Sequence, residues 1–295
     1  MISIIICSLK SEIDSKLYEN INSTIGVPFE LIYIYNEKNK YSIFEAYNIG
    51  VEKSGFDFCC FMHDDIIYHS NNWGNKVVEM FNSTDANALA VAGTRYLRKM
   101  PAYWPSEYNV VNLIQTSLKN KQFEKVHWNT NDSFRQILAF DGLWFCIKKD
   151  LFEKIMFDNK LYKGFHFYDL DISLQIYFSG NKSYFIPNIL IEHTSLGKIN
   201  NDWMNNSIIF YDKWKNLLPI YEFVSRSQRT ISMEDAAIIS FIKKIIVLKS
   251  YKIILSTLKI IIDLKGGLGK FMNFFILYLW IKLKKKTFKF LKINY

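Results

Sequence analysis

The sequence predicts an α/β fold: a mostly parallel central sheet flanked by helices, followed by a C-terminal helical extension that is both basic and apolar. Three observations lead there. Short apolar runs alternate with helix-like segments early in the chain, the order that a parallel sheet with crossover helices requires. Polar residues sit just after those runs, where ligands of open α/β sheets bind. Charge is also divided: residues 238–295 hold 13 Lys and one acidic residue, Asp263, so this tail carries +12 while the preceding 237 residues carry −3.

Taken in order, residues 2–7 are apolar apart from Ser3 and read as the first strand; they lack the basic leader and small-residue cleavage site of a signal peptide. Residues 31–35, 58–62 and 89–92 read as the next three strands, with helices over 11–25, 43–54 and 73–82 between them. Their carboxyl ends present Ser8, Asn36, His63, Asp64, Asp65 and Gly93. Residues 94–135 scatter Tyr96, Tyr103, Trp104, Tyr108 and Trp128 among polar and basic residues, which reads as a long irregular functional loop. Strand-like sequence resumes over 137–147, interrupted at Asp141-Gly142, and a helix is expected from near Lys149. A further helix covers 169–178, and a last strand, 183–192, leads into His193.

The tail is expected to start near residue 238, giving a division into 1–237 and 238–295. Lys249, Lys252, Ser256, Lys259 and Asp263 recur at steps of three and four, which places them on one face of an apolar helix. Gly266, Gly267 and Gly269 break that pattern before a second apolar stretch, 271–283, too short for the roughly 20 residues that span a bilayer. A helical hairpin lying on a membrane surface, lysines toward anionic head groups, is the functional reading. The alternative is a helical pair docked on the rest of the chain or on a second copy.

With 49% hydrophobic residues the chain can bury a core for one large domain and an appendage. The pI near 9.1 belongs to the tail, so it does not mark a nucleic-acid-binding protein. Cys7, Cys59, Cys60 and Cys146 lie inside apolar strand-like runs rather than in a paired extracellular pattern. A reduced cytoplasmic protein, peripheral at the inner face of the membrane, fits best.

Two acidic groups carry the chemistry. Adjacent Asp64 and Asp65 at a strand end place negative charge where it needs a cation or hydrogen-bond donors. Magnesium or manganese, held by one or two carboxylates plus substrate phosphates, suits them; capping of a following helix is the structural reading. Asp169 and Asp171 sit near a helix start, so one can stabilise that terminus while the other serves as a base. Asp169 is taken as the base, with Asp171 structural or orienting. His193, at the end of the last strand, is either a hydrogen-bonded structural residue or a metal ligand. His63 reads as a positioning residue beside Asp64, and His69, His127 and His166 have weaker cases.

Several pieces in order, Ile2 to Ser8, Glu45 to Gly50, Phe61 to Ile66, Asp141-Gly142, Phe165 to Asp171, Glu192 to Gly197 and Lys213-Trp214, resemble the family 2-like glycosyltransferases grouped with the streptomycin-biosynthesis-type domain. The resemblance covers roughly residues 1–215 and is more specific as a set than in any member. It implies a GT-A-like, Rossmann-like fold and a UDP-sugar type of donor. It also implies a nucleotide site at Cys7, Ser8, Asn36, Asn48 and Asp64, and a metal, manganese or magnesium, at Asp65 and His193. By the same resemblance Asp169 is the base, and Gly93, Asp141, Trp144 and Asp171 border the acceptor or donor sugar. Two departures stand out. Tyr47 occupies the place of an Arg before Asn48, and Tyr168-Asp169 replaces a Glu-Asp pair.

The expected reaction is therefore inverting transfer of a sugar from a nucleotide diphosphate to a glycan or lipid-linked acceptor, with no nucleic acid involved. A sugar-nucleotide-forming nucleotidyltransferase is the rival enzyme, but the segment after the first strand lacks its Gly-rich loop. No G-x-G-x-x-G follows that strand either, which disfavours a dehydrogenase. A non-catalytic protein docked on a membrane by its tail is the alternative of a different class.

Overall fold

The computed structural model describes residues 1–100, 108–119, 122–195, 199–221, 223, 228–248 and 260. The chain forms two compact units: Met1–Leu97, Pro105–Lys198 and Tyr221–Val224 in the first, and Arg98–Trp104, Ile199–Ile220 and Ser225–Tyr295 in the second.

In the first unit β1 (Ile2–Ser8), α1 (Ser15–Thr24), β2 (Phe29–Tyr35), α2 (Ile43–Lys53) and β3 (Phe58–Met62) alternate as expected. They are followed by β4 (Ile66–Tyr68), α3 (Trp73–Ser83), β5 (Ala88–Ala90), β6 (Ala92–Thr94), β7 (Asn109–Lys119) and β8 (Gln122–Asn129). Then come β9 (Arg135–Ile137), β10 (Ala139–Phe140), β11 (Trp144–Lys148), α4 (Tyr168–Phe178), β12 (Ser183–Phe185) and β13 (Ile191–His193).

The main sheet has the order β2-β1-β3-β11-β5-β12-β9. β2, β1 and β3 run parallel, as do β5 and β12, whereas β11 is antiparallel to both β3 and β5 and β9 is antiparallel to β12. The expected mostly parallel α/β sheet holds: β2, β1, β3, β5 and β12 share one direction, and β11 and β9 run against it. Ile2, Ile4, Ile5 and Ile6 of β1 are fully buried, so this strand is covered on both faces. That is why isoleucine fills the consecutive positions 4, 5 and 6 instead of alternate ones.

Helix α2 lies directly on β1: a Cβ added to Gly50 would run into the Ile5 side chain. Its start is fixed by a capping box in which Ser42 Oγ accepts the Glu45 N–H at 3.2 Å and the Glu45 carboxylate accepts the Ser42 N–H at 2.8 Å. Such a cap contributes about 1 kcal/mol. On the opposite face, Leu17 and Ile21 of α1 and Trp73, Val77 and Phe81 of α3 pack with Ile2, Ile4 and Ile6. Hydrophobic burial on both faces therefore holds the carboxyl ends of β1, β2 and β3 in line.

The second sheet has the order β10-β6-β7-β13-β4, with β8 paired to β7. Over 109–119 and 122–129 it corrects the expectation of an irregular loop across 94–135, while Tyr103 and Trp104 lie outside the described residues. β7 and β8 form an antiparallel hairpin with Leu113 opposite Trp128 and Gln115 opposite Val126. Polar residues built into the strands hide their period: Asn112 is buried, with its amide bonded to Pro187 O at 2.7 Å and facing His127 Nε2 at 3.0 Å. The expected strand over 183–192 divides into β12 and β13, which belong to different sheets. Pro187 lies in the gap between them, and its missing N–H makes it unfit for an interior ladder. Likewise, 89–92 divides into β5 and β6, and 137–147 into β9, β10 and β11. The helix expected from Lys149 is a single 3₁₀ turn, Lys149–Glu153.

The second unit contains α5 (Asn201–Trp214) and α6 (Gln228–Leu248). Trp203 of α5 packs against Phe241 of α6 with ring centroids 6.2 Å apart, and Lys244 lies 5.2 Å from the Trp203 ring. The expected break at residue 238 falls inside α6. Lys249, Lys252, Ser256, Lys259, Asp263, the glycines after them and 271–283 lie outside the described residues. Among the described residues, no helix is long and apolar enough to cross a membrane.

Candidate functional site

β13 pairs antiparallel with β4, His193 opposite Ile66, and this register carries His193 to the connection that follows β3. Thr194 then clamps that connection, donating its N–H at 3.1 Å and its hydroxyl at 3.0 Å to the Asp65 carbonyl. His63 is held from the other side by its N–H, which donates to Leu143 O at 3.0 Å. Residues distant in the chain are thus joined by backbone hydrogen bonds before any side chain is considered.

The side chains of His63, Asp65 and His193 converge, with one ligand atom from each lying within 4.8 Å of the others. His193 Nε2 is 3.4 Å and His63 Nδ1 3.8 Å from Asp65 Oδ1, and the two ring nitrogens are 3.4 Å apart. Among the described residues, Oδ1 of Asp65 is buried and makes no well-formed hydrogen bond, its two imidazole neighbours standing at ion-pair distance. Leaving such an atom unsatisfied costs about 1–3 kcal/mol or more for a charged group. A carboxylate oxygen and two imidazole nitrogens facing one point, with an orphaned oxygen among them, fit a divalent cation.

Charge is distributed to match. Burial disfavours the Asp65 carboxylate, but its ionic contact with His193, helped by Ser195 and His63, outweighs this and holds the group well below the usual carboxylate range. His63 is pushed down by burial and by nearby His193, against the pull of Asp65, Asp141 and Asp64, and so remains a neutral imidazole. For His193 burial also acts downward, yet Asp65 and Asp141 prevail and raise it.

Around this cluster lie the ends of β1, the β10–β11 turn and the start of α4. Ser8 Oγ donates to Asp64 Oδ2, and Lys10 Nζ is 3.9 Å from the same oxygen. Tyr168 Oη lies 2.9 Å from His63 Nε2 and donates to Gly142 O at 3.0 Å. A Cβ on Gly142 would collide with the Tyr168 hydroxyl, so only glycine admits this approach. Asp169 accepts the Gly142 N–H at 3.1 Å and the Leu170 N–H at 2.9 Å. Burial, with the neighbouring charge of Asp141, nevertheless raises Asp169 to about 7, against those backbone donors. A carboxyl poised near neutrality matches what a general base needs. Asp141 acts electrostatically on His63, His193 and Asp169, so the metal-type cluster and the candidate base share one neighbourhood.

Not every residue singled out from sequence reaches this mouth. Trp144 is fully buried in the core, its indole N–H donating to Tyr68 Oη at 2.7 Å, so it presents no face to a sugar. Asp171 is buried on the inner side of α4's first turn, accepting from Tyr162 Oη at 3.1 Å and Gln175 Nε2 at 2.8 Å, as an orienting residue would. Gly93 packs against β10, where a Cβ would meet Ala139 O at 2.6 Å. Asn48 spends its amide on the Phe157 backbone, donating to the carbonyl at 2.8 Å and accepting from the N–H at 3.1 Å. Asn36 similarly binds both backbone groups of Tyr41, at 2.9 and 2.8 Å, and shapes the loop after β2. Cys7 is a neutral thiol, raised to about 11 chiefly by burial and lying 3.6 Å from Asn36 Nδ2.

Sequence reasoning placed Asp65 and His193 together but gave His63 only a positioning role. It also passed over Gln115 on β7, whose Oε1 is 3.0 Å from His193 Nδ1. The signal for Gln115 was present in the β-branched residues Val110, Val111, Ile114 and Thr116 around it, which mark a strand rather than a loop.

A family model described as "Glycosyltransferase like family" matches residues 3–211. Among solved structures, the chain is similar to GalNAc-T7 crystallised with UDP, GalNAc and Mn2+, at 12% identity and a TM-score of 0.47, over 72% of this chain and 49% of that one. It therefore spans about half the length of that relative. A second similar structure is A197 from STIV, at 13% identity and a TM-score of 0.37, over 65% of this chain and 84% of that one. No curated protein sequence matches the chain.

Proposed function

The chain belongs to the glycosyltransferase-like family, and from that premise we propose that it moves a sugar from a nucleotide diphosphate donor, of the UDP-sugar type, to the hydroxyl of a glycan or lipid-linked acceptor. The observation that carries this reading is the convergence of Asp65, His63 and His193 around the unpartnered Asp65 Oδ1. Membership alone fixes neither the metal nor the base; that cluster supports the first and the raised Asp169 supports the second.

In this reading His63, Asp65 and His193 hold a divalent cation, manganese or magnesium. When bound, such a cation acts as a Lewis acid on the departing diphosphate. Asp64, tied to Ser8 and near Lys10, faces the ribose end of the donor. Asp169 takes the proton from the acceptor hydroxyl as its oxygen attacks the anomeric carbon and the bond to the diphosphate breaks. Attack from the side opposite the leaving group inverts the anomeric configuration. The Leu170 and Gly142 N–H groups fix the Asp169 carboxylate in orientation, and burial with Asp141 keeps it basic enough to accept that proton.

The lysine-rich tail, with net +12 over residues 238–295, supports a place at an anionic membrane surface, where a lipid-linked acceptor would lie. The functional test is a thermal-shift panel of nucleotide sugars with and without Mn2+, followed by mass detection of released nucleotide diphosphate. One nucleotide sugar should stabilise the protein only with the metal present. Stabilisation that ignores the metal would remove this reading.

A further inference from the structure

A histidine can serve a cation only through a ring nitrogen with a free lone pair, so each neutral imidazole must carry its proton on the other nitrogen. We propose that Tyr168 and Gln115 are positioning residues that set these tautomers, leaving Nδ1 of His63 and Nε2 of His193 bare toward Asp65. The inference rests on the reading that this cluster holds a divalent cation, and it goes beyond it by assigning two residues that never touch the metal.

For His63 the argument is proton bookkeeping on one hydroxyl. Tyr168 Oη has a single proton, and the Gly142 carbonyl, 3.0 Å away, can only accept it. Tyr168 Oη is thereby left as an acceptor toward His63 Nε2 at 2.9 Å, so Nε2 carries the imidazole proton. Nδ1 is then the bare nitrogen, and it is the one that faces His193 Nε2 at 3.4 Å and Asp65 Oδ1 at 3.8 Å.

For His193 the proton is placed by an amide whose direction is fixed. Gln115 Nε2 donates to Ser195 O at 2.7 Å and to Thr116 O at 3.0 Å, and the His193 carbonyl lies 3.4 Å away. Reversing the amide would set Oε1 against these carbonyl oxygens. Gln115 Oε1 consequently faces His193 Nδ1 at 3.0 Å and can only accept, so the proton resides on Nδ1 and Nε2 is bare toward Asp65. Outer partners of this kind fix ring orientation and typically change metal affinity by about 10–100-fold when removed.

The test has two readouts. Two-dimensional ¹H–¹⁵N NMR of the imidazoles in the metal-free full chain, at a pH high enough that the ¹⁵N shifts report both rings neutral, should show His63 protonated on Nε2 and His193 on Nδ1. The reverse tautomer at either ring overturns the assignment for that ring, whatever the metal does. Mn2+ binding, followed by the electron paramagnetic resonance signal of the free ion, should then weaken by about 10–100-fold in Tyr168→Phe and Gln115→Met relative to the unaltered chain. Folded variants that bind Mn2+ as tightly as the unaltered chain would overturn the positioning role alone. An unaltered chain that binds no Mn2+ would instead overturn the metal reading, and the roles of Tyr168 and Gln115 with it.

Discussion

Asp169 and Gly142 meet at 3.1 Å, the carboxylate of a helix start accepting the backbone N–H of the turn between β10 and β11. The contact orients the carboxylate beside Asp141 and inside a buried surround, which raises Asp169 to about 7. Replacing it with asparagine keeps the shape and removes the basicity. Asp169→Asn should bind the nucleotide-sugar donor with unchanged affinity while kcat falls by about 10²–10⁴-fold. Calorimetry for binding and initial rates for transfer separate these effects; turnover near that of the unaltered enzyme would exclude Asp169 as base.

The same raised value sets a pH profile. A base works only when deprotonated, so below about pH 7 the Asp169 carboxyl is protonated and inactive, and above it the carboxylate is free. The rate of the chemical step should accordingly rise about tenfold per pH unit on the acid side and level off above neutrality. Pre-steady-state rates across this range check it. A profile already flat at pH 5, about the region where an ordinary carboxylate is ionised, would show that another group takes the proton.

The donor set selects among metals. Mg2+ is bound mainly through oxygen ligands and water, whereas imidazole nitrogen suits softer first-row ions. With two histidines and one carboxylate, Mn2+ should bind at least about tenfold more tightly than Mg2+. Competition of Mg2+ against Mn2+, read by electron paramagnetic resonance, measures the ratio. Equal affinities would mean that the two imidazoles do not both ligate.

Gly142 leaves room for Tyr168 and nothing more. In Gly142→Ala the new methyl group lies well inside contact distance of the Tyr168 hydroxyl, so the ring must withdraw. Overpacking of this kind costs about 1–3 kcal/mol. Thermal unfolding should shift downward by roughly 2–4 °C for each kcal/mol, and Mn2+ affinity should fall as the contact from Tyr168 to His63 is lost. A variant with unchanged melting and metal binding would mean that the turn relaxes freely.

Trp144 gives the opposite pattern. Trp144→Phe loses the 2.7 Å bond to Tyr68 and leaves a gap beside Trp73, so stability should drop by about 1–3 kcal/mol with donor and acceptor KM unchanged. Chemical denaturation and steady-state kinetics read the two effects. A selective rise in KM would return Trp144 to the sugar site.

Much of the first unit could be read from sequence because its central strands are buried on both faces. Residues 58–62 form an uninterrupted apolar run, and β3 occupies those residues. The hairpin of β7 and β8 escaped because Asn112, Gln115 and His127 place polar groups inside strands, each with partners that only folding supplies. The acidic pair at 64–65 was legible as chemistry, since adjacent carboxylates at a strand end need a counter-charge. His63 was harder to read: its ligand geometry depends on a register between β13 and β4 that leaves no local mark in the chain. Trp144 and Asn48 misled for the converse reason, as motif positions whose side chains fold inward to serve packing and loop structure.

If Asp65, with His63 and His193, holds the cation that grips the donor's diphosphate, removing its carboxylate must separate donor binding from the metal. Calorimetric titration of UDP into the unaltered chain and into Asp65→Ala, each with and without Mn2+, tests it most directly. UDP should bind the unaltered chain only with Mn2+ present, and the metal dependence should disappear in Asp65→Ala. Mn2+-dependent UDP affinity that survives the substitution would contradict it.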